Sequence, residues 1–216
     1  MRRPRLPRLL ASAVVLATLL LVAGCATDGR DLRSTQPWQT TTTRPVPATI
    51  APEAEAGRSG LALTSPDFQP GGPVPAAATC AGGSIVPALR WSSVPLEAVE
   101  LVVTISDQTD PAAPVLLWLL AGIEPDLPGL DAGAIPIGAF ETLNGFGNPG
   151  FGIPCLETMA EGSRDLQFRL YALPQPSGVA PGAPGDEAWT LVRAGATDSA
   201  SLLARFDPDA GGDPGG

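Results

Sequence analysis

Residues 144–155 read NGFGNPGFGIPC. Within them Gly145, Gly147 and Gly150 satisfy G-x-G-x-x-G, the spacing of a dinucleotide-binding turn. That fingerprint needs a strand before it, a helix opening after it and a βαβ unit around it. Here Pro149 and Pro154 stand where the helix should begin, and Gly150 and Gly152 prolong the loop. No acidic residue follows a second parallel strand at the usual spacing. The stretch is a loop with another job, and its neighbours say which.

Strand signals surround it. Residues 100–106 (ELVVTIS) are apolar and β-branched enough for a buried strand. Residues 116–123 (LLWLLAGI) form a second such run, too short and Gly-ended for a helix. Residues 166–173 (LQFRLYAL) alternate, which places Leu166, Phe168 and Leu170 on one face. Turns marked by Pro-Asp, Pro-Gly and Asn-Gly separate the runs. Residues 186–205 are the best helix candidate, with Leu191, Leu202 and Leu203 as core contacts. No internal repeat is present. The class is mostly β, with one or two short helices, in one domain over residues 61–206.

The flanks carry the address. Arg2, Arg3, Arg5 and Arg8 precede an apolar run over residues 9–22, too short for a comfortable membrane span. Residues 1–24 therefore read as a signal peptide. The sequence LVAGC at residues 21–25 resembles the bacterial lipobox, in which Cys25 receives a diacylglyceryl group and becomes the new N-terminus. Two acyl chains, with further N-acylation by palmitate or a similar chain, hold a protein stably on a membrane. An ordinary signal peptide with a chance cysteine is the alternative. Residues 25–60, with their Thr run and Pro-Val-Pro, read as a disordered tether, and residues 207–216 as a disordered tail.

Composition excludes whole classes of chemistry. The chain has no histidine, which removes Ser-His-Asp and Cys-His catalysis, His-ligated zinc and imidazole acid–base work. Without residues 1–24, nine Arg and 22 acidic residues remain, a net of −13 on 192 residues. Such a chain is poorly suited to gripping nucleic acid or anionic head groups electrostatically. With Cys25 lipidated, Cys80 and Cys155 are left, and two cysteines in an exported domain most often pair. Closing that loop of about 75 residues stabilises by roughly 4 kcal/mol on the chain-entropy estimate. Two free thiols are the other reading.

From about residue 63 to residue 173 the chain resembles the phosphatidylethanolamine-binding protein family, in its bacterial Raf-kinase-inhibitor-like branch. CAGGSIVPALRW at residues 80–91 stands where the family has C-x-G-x-x-x-S-P-x-L-x-W, and WSSVP at residues 91–95 matches W-S-G-V-P. Residues 100–107 match the strand that leads into the D-P-D-A-P loop. Residues 144–155 match N-x-x-G-x-x-G-[YF]-G-G-P-C, and FRLYAL at residues 168–173 matches F-x-x-Y-A-L. Five pieces in family order are specific where any one is weak. The resemblance implies a fold built on a large antiparallel sheet with a few short helices. It also implies a small anion-accepting pocket at one end, rimmed by the Gly- and Pro-lined loop, in which Cys80 would pin Cys155.

The chain departs from the family at that pocket. The D-P-D-A-P loop reads DQTDPAAP at residues 107–114, so Asp107 is kept and the loop is longer. The family's His-Trp pair reads Leu117-Trp118, and its second histidine falls at Arg164, with Leu166 at a nearby aromatic position. The ligand-binding candidates are Asp107, Trp118, Gly150, Gly152, Pro154 and Arg164. Each has a plainer reading. Asp107 would cap a turn, Arg164 would be solvated beside Glu161 and Asp165, and Leu117 and Trp118 would be core or pocket wall without ligand contact. Gly150, Gly152 and Pro154 would only shape the loop. Facing inward, Arg164 would bind a phosphate or carboxylate bidentately.

The resulting expectation is a non-catalytic, lipid-anchored binding protein on the extracytoplasmic face of the cell membrane. Its degenerate pocket would hold a small anionic or amphiphilic ligand, without metal or cofactor. The alternative is an envelope interaction or inhibitor protein that docks to a partner enzyme and keeps only a vestigial pocket.

Overall fold

The computed structural model describes residues 54–152 and 162–207. Among these described residues nine strands form two antiparallel sheets. They are β1 (Ala54–Glu55), β2 (Ala62–Thr64), β3 (Leu89–Ser92), β4 (Glu100–Asp107), β5 (Val115–Ile123), β6 (Gly129–Leu130), β7 (Phe140–Glu141), β8 (Arg164–Leu173) and β9 (Asp198–Phe206). The main sheet has the order β1-β9-β8-β4-β5-β7, and the small sheet the order β2-β3-β6. The mostly β fold expected from the sequence is the fold observed.

β4 and β5 are neighbouring inner strands of the main sheet, covered on both faces, which is why they read as nearly continuous apolar runs. On one face Leu101, Val103, Ile105, Phe168, Leu170 and Leu202 meet Leu61, Leu63, Leu89 and Trp91 from the small sheet and the chain leading into it. Fully burying a side chain of this kind contributes about 1.5–3 kcal/mol, so this layer dominates the stability. On the other face Ala188, Trp189 and Val192 of α1 (Gly185–Gly195), the one α-helix among the described residues, pack on Val102, Leu119, Ala121, Tyr171 and Leu173.

The expected helix over residues 186–205 is half right. α1 ends at Gly195, Ala196 is already extended (φ −71°, ψ 134°), and β9 follows. The reason is a change of period. Asp186 and Glu187 in the first turn and Arg193 in the last suit the helix dipole. Beyond Gly195, Ala200, Leu202, Ala204 and Phe206 recur every second residue and are buried. Leu202 therefore reaches the core from a strand, Leu203 is only partly buried, and Leu191 is exposed. At the other end β1 lies inside the stretch read as a tether. Ala54 and Glu55 pair with Leu202 and Ser201, and so give the main sheet a short edge strand.

Candidate functional site

The candidate residues gather at the end of the main sheet where β4 stops and β5 and β8 begin. Ile105 pairs with Trp118, yet Ser106 pairs with Leu116, so Leu117 is an extra residue on β5. Such a bulge turns two successive side chains the same way. Leu117 and Trp118 accordingly both face the small sheet, and the leucine in the family's histidine position becomes core.

Asp107 closes β4 opposite Val115 and Leu166. Its Oδ1 accepts the Thr109 N–H at 2.8 Å, and its Oδ2 accepts from the Arg164 guanidinium at 3.2 Å. Asp107 thus caps its turn and also pairs with Arg164. Arg164 opens β8 on the same face as Leu166 and Phe168, with its side chain 19% exposed and that of Asp107 8% exposed. It is not a solvated residue: strand alternation sends Asp165 to the other face, where it pairs with Arg205 at 3.3 Å.

The loop before β8 is built on Asn144, a buried residue. Its Oδ1 accepts the N–H groups of Phe146 (3.0 Å) and Asn148 (3.1 Å), and its Nδ2 donates to the Gly150 carbonyl at 3.3 Å. Gly147 and Gly150 take positive φ (76° and 80°), which a side chain would strain. The Gly145 N–H donates to the Leu116 carbonyl at 2.7 Å, and the Gly152 N–H to the Leu117 carbonyl at 3.2 Å. These four amides are used up within the loop and against β5. A phosphate cradle needs N–H groups aimed at its ligand, so the G-x-G-x-x-G spacing lacks its chemistry here.

Beside this loop lies a cavity of about 210 Å³, lined by Ile85, Val86, Trp118, Gly133, Glu141 and Phe151 among others. Glu141 lies on the edge strand β7, and its Oε1 accepts the Trp118 indole N–H at 2.6 Å. A Cβ on Gly150 would stand 3.6 Å from Glu141 Oε2, so the glycine borders the same carboxylate. Nothing in the sequence singled out Glu141, whose partner is 23 residues away. Asp107 and Arg164 do not line the cavity. The six candidates thus divide: Trp118 lines it, Gly150 stands behind Glu141, Gly152 ties the loop to β5, and Asp107 and Arg164 form a separate pair. Pro154 lies outside the described residues, as do Cys25 and Cys155. Cys80 is disulfide-bonded.

The described lining of the cavity carries one carboxylate and no cation. Its apolar wall and its volume suit a small alkyl group, and Glu141 suits an amine or a hydroxyl better than an anion. Among the described residues no cluster of His, Cys, Asp and Glu could hold a metal ion, and no helix is long and apolar enough to cross a membrane.

Known proteins place this geometry. A family model described as phosphatidylethanolamine-binding protein matches residues 64–209. LppC of Mycobacterium tuberculosis, provisionally named a lipoprotein, is 32% identical over 192 residues, covering 89% of this chain and 92% of its own. A UPF0098 protein of Mycobacterium bovis is 32% identical over 169 residues, covering 74% of this chain and 81% of its own. Among solved structures, the chain is similar to a phosphatidylethanolamine-binding protein homologue of Chlamydia trachomatis, CT736. The TM-score is 0.61 at 26% identity, over 70% of this chain and 99% of that one. YbcL of Escherichia coli has the same fold, with a TM-score of 0.61 at 22% identity over 68% of this chain and 98% of that one.

Proposed function

The chain belongs to the phosphatidylethanolamine-binding protein family, and from that premise we propose that it is a lipid-anchored, extracytoplasmic binding protein without catalytic activity. Its sheet-end cavity takes a small amphiphile with an amino or neutral head group. One observation carries the ligand class: the Glu141 carboxylate borders a cavity walled in part by Val86, Trp118 and Phe151, whose described lining holds no opposing cation. Arg164, the residue best suited to an anion, is matched by Asp107 at 3.2 Å. A phosphate would have to compete with a carboxylate already in place.

The reading without catalysis is supported by composition: the chain has no histidine for acid–base work or for activating a nucleophile. Anchoring rests on the lipobox that ends at Cys25 and on the lipoprotein name carried by a relative that covers most of the chain. The disulfide of Cys80 is assigned to Cys155, which would fasten the rim loop to the segment that precedes β3.

A second reading has its own support. Ile85 and Ile135 line the cavity and are respectively 42% and 50% exposed, and Ile137 nearby is fully exposed. An apolar rim of this kind also suits the inserted side chain of a protein partner. The test titrates the isotope-labelled full chain in neutral micelles with n-butylamine and with n-butyl phosphate, two probes with one body and opposite charge. Saturable movement of the Trp118 indole resonance with the amine, and none with the phosphate, is expected. The reverse order would reject the proposed ligand class. Silence toward both, with the same resonance moved by an envelope extract, would favour the partner.

A further inference from the structure

A larger groove lies on the opposite face of the main sheet, where α1 packs. It has a volume of about 560 Å³. Its wall brings together Arg58 before β2, Arg169 of β8 and Arg193 of α1, with Tyr171, Trp189 and Asp198. Gln108, Pro111 and Pro114 close one end. The loop that is longer than the family pattern thus starts at Asp107, paired with Arg164 on the inner face, and rims this groove with the residues after it.

Charge is placed here against the composition of the chain. Six arginines fall among the described residues, and three of them line this groove. The other three, Arg90, Arg164 and Arg205, each pair with a carboxylate within 3.3 Å. Arg58 and Arg193 have no carboxylate within 4 Å among the described residues. The Arg193 guanidinium lies 5.2 Å from the Trp189 ring centre, a contact that positions the cation without neutralising it. Arg169 is set by the Gln167 side chain (3.2 Å) and the Ser199 hydroxyl (3.3 Å), with Glu55 at 3.5 Å. The acidic charge elsewhere is screened over roughly 8 Å at physiological salt, so a ligand in the groove feels chiefly these guanidinium groups.

Asp198 is the one carboxylate among the described residues of the wall, and it is already committed. Its oxygens accept the N–H groups of Arg58 (2.7 Å), Ser59 (2.8 Å) and Ser199 (2.8 Å). A Cβ on Gly57 would collide with it, so the turn at residues 57–59 wraps it at a distance only glycine allows. It holds the Arg58 turn against β9 and leaves the arginines an excess of positive charge.

We propose that this groove is a second ligand site, which takes a phosphate-bearing anion. Guanidinium groups bind phosphate through paired, charge-assisted hydrogen bonds. Gln108, Gln167 and Ser199 supply neutral donors around it. The phosphate belongs either to a soluble ester or to a lipid head group, and the chemistry of recognition is shared.

The experiment uses the isotope-labelled full chain in neutral micelles and adds inorganic phosphate or n-butyl phosphate, with sodium chloride at equal ionic strength as the blank. Saturable shifts of the Trp189 indole and of the Gly57 and Ser199 amides are expected, with a Kd of about 1 mM or tighter. Binding should weaken at least tenfold in Arg58→Gln and in Arg193→Gln and stay unchanged in Arg90→Gln. A parallel arm compares bicelles of phosphatidylcholine with and without phosphatidic acid. Arg193-dependent shifts confined to that arm assign the phosphate to a lipid, and shifts with the soluble probes assign it to a free ester. Wild-type chain that shows no saturable, groove-centred shift in any arm overturns the proposal. So does binding that Arg58→Gln and Arg193→Gln both leave intact.

Discussion

The Arg164 guanidinium lies 3.2 Å from the Asp107 carboxylate, and the pair joins the first residue of β8 to the last residue of β4 on the inner face of the main sheet. Both side chains are largely shielded, so neither can lose its partner cheaply. Arg164→Leu should destabilise the fold by about 2 kcal/mol, since a shielded charge-assisted bond is lost and Asp107 is left without its cation. Asp107→Asn combined with Arg164→Leu should cost less than the sum of the two single changes. Urea denaturation of the four species checks this, and strict additivity would show that the pair is not coupled.

Thr104 points the other way energetically. Its hydroxyl is buried in the middle of β4 with no hydrogen-bond partner among the described residues. Thr104→Val replaces an unsatisfied polar atom by a methyl group of similar shape. It should stabilise by about 1 kcal/mol, a rise of roughly 2–4 °C in Tm. Calorimetry would detect it, and a fall in Tm would mean that the hydroxyl is satisfied in solution.

Asn144 holds the Gly-rich loop through three side-chain hydrogen bonds. Asn144→Ala should cost about 2–3 kcal/mol, because buried donors lose their acceptor. The Phe146 and Asn148 amides should then exchange with solvent much faster than the amides of β4. Uniform protection in the variant would remove Asn144 from its organising role.

Asp198 sets an acid limb. Burial opposes its ionisation, but the Ser59 hydroxyl and the N–H groups of Ser59, Arg58 and Ser199 outweigh burial and hold its pKa below the ordinary 3.8. A carboxylate with a lowered folded-state pKa adds stability above its unfolded value, and that share is lost as pH falls from about 3.8 through the folded value. Asp198→Asn should therefore lower stability near neutrality and flatten its decline in that acid range. Parallel stability curves for the variant and wild-type chains would contradict this.

The legible parts of the molecule were those whose physics is local. β4 and β5 announced themselves as apolar runs because both their faces are covered, and β8 through the alternation of Leu166, Phe168 and Leu170. That same alternation carries Arg164 inward. β9 was hidden because Ala200, Leu202 and Ala204 follow a good helix start at Asp186 and Glu187 without a strong break. Glu141 was invisible for a different reason. Its meeting with Trp118 depends on the register between β5 and β7, which no short motif encodes. The arginine groove is assembled from five chain segments, and only the fold brings Arg58, Arg169 and Arg193 together.

The proposed function turns on whether the Glu141 carboxylate selects the ligand of the Trp118 cavity. The most direct measurement is the affinity of n-butylamine for the full chain and for Glu141→Gln, read at the Trp118 indole resonance. Removing the carboxylate should weaken the amine at least tenfold, the loss of one shielded charge-assisted contact of about 1.4 kcal/mol or more. Equal affinity in the two proteins, or n-butyl phosphate moving that resonance more tightly than the amine, would contradict it.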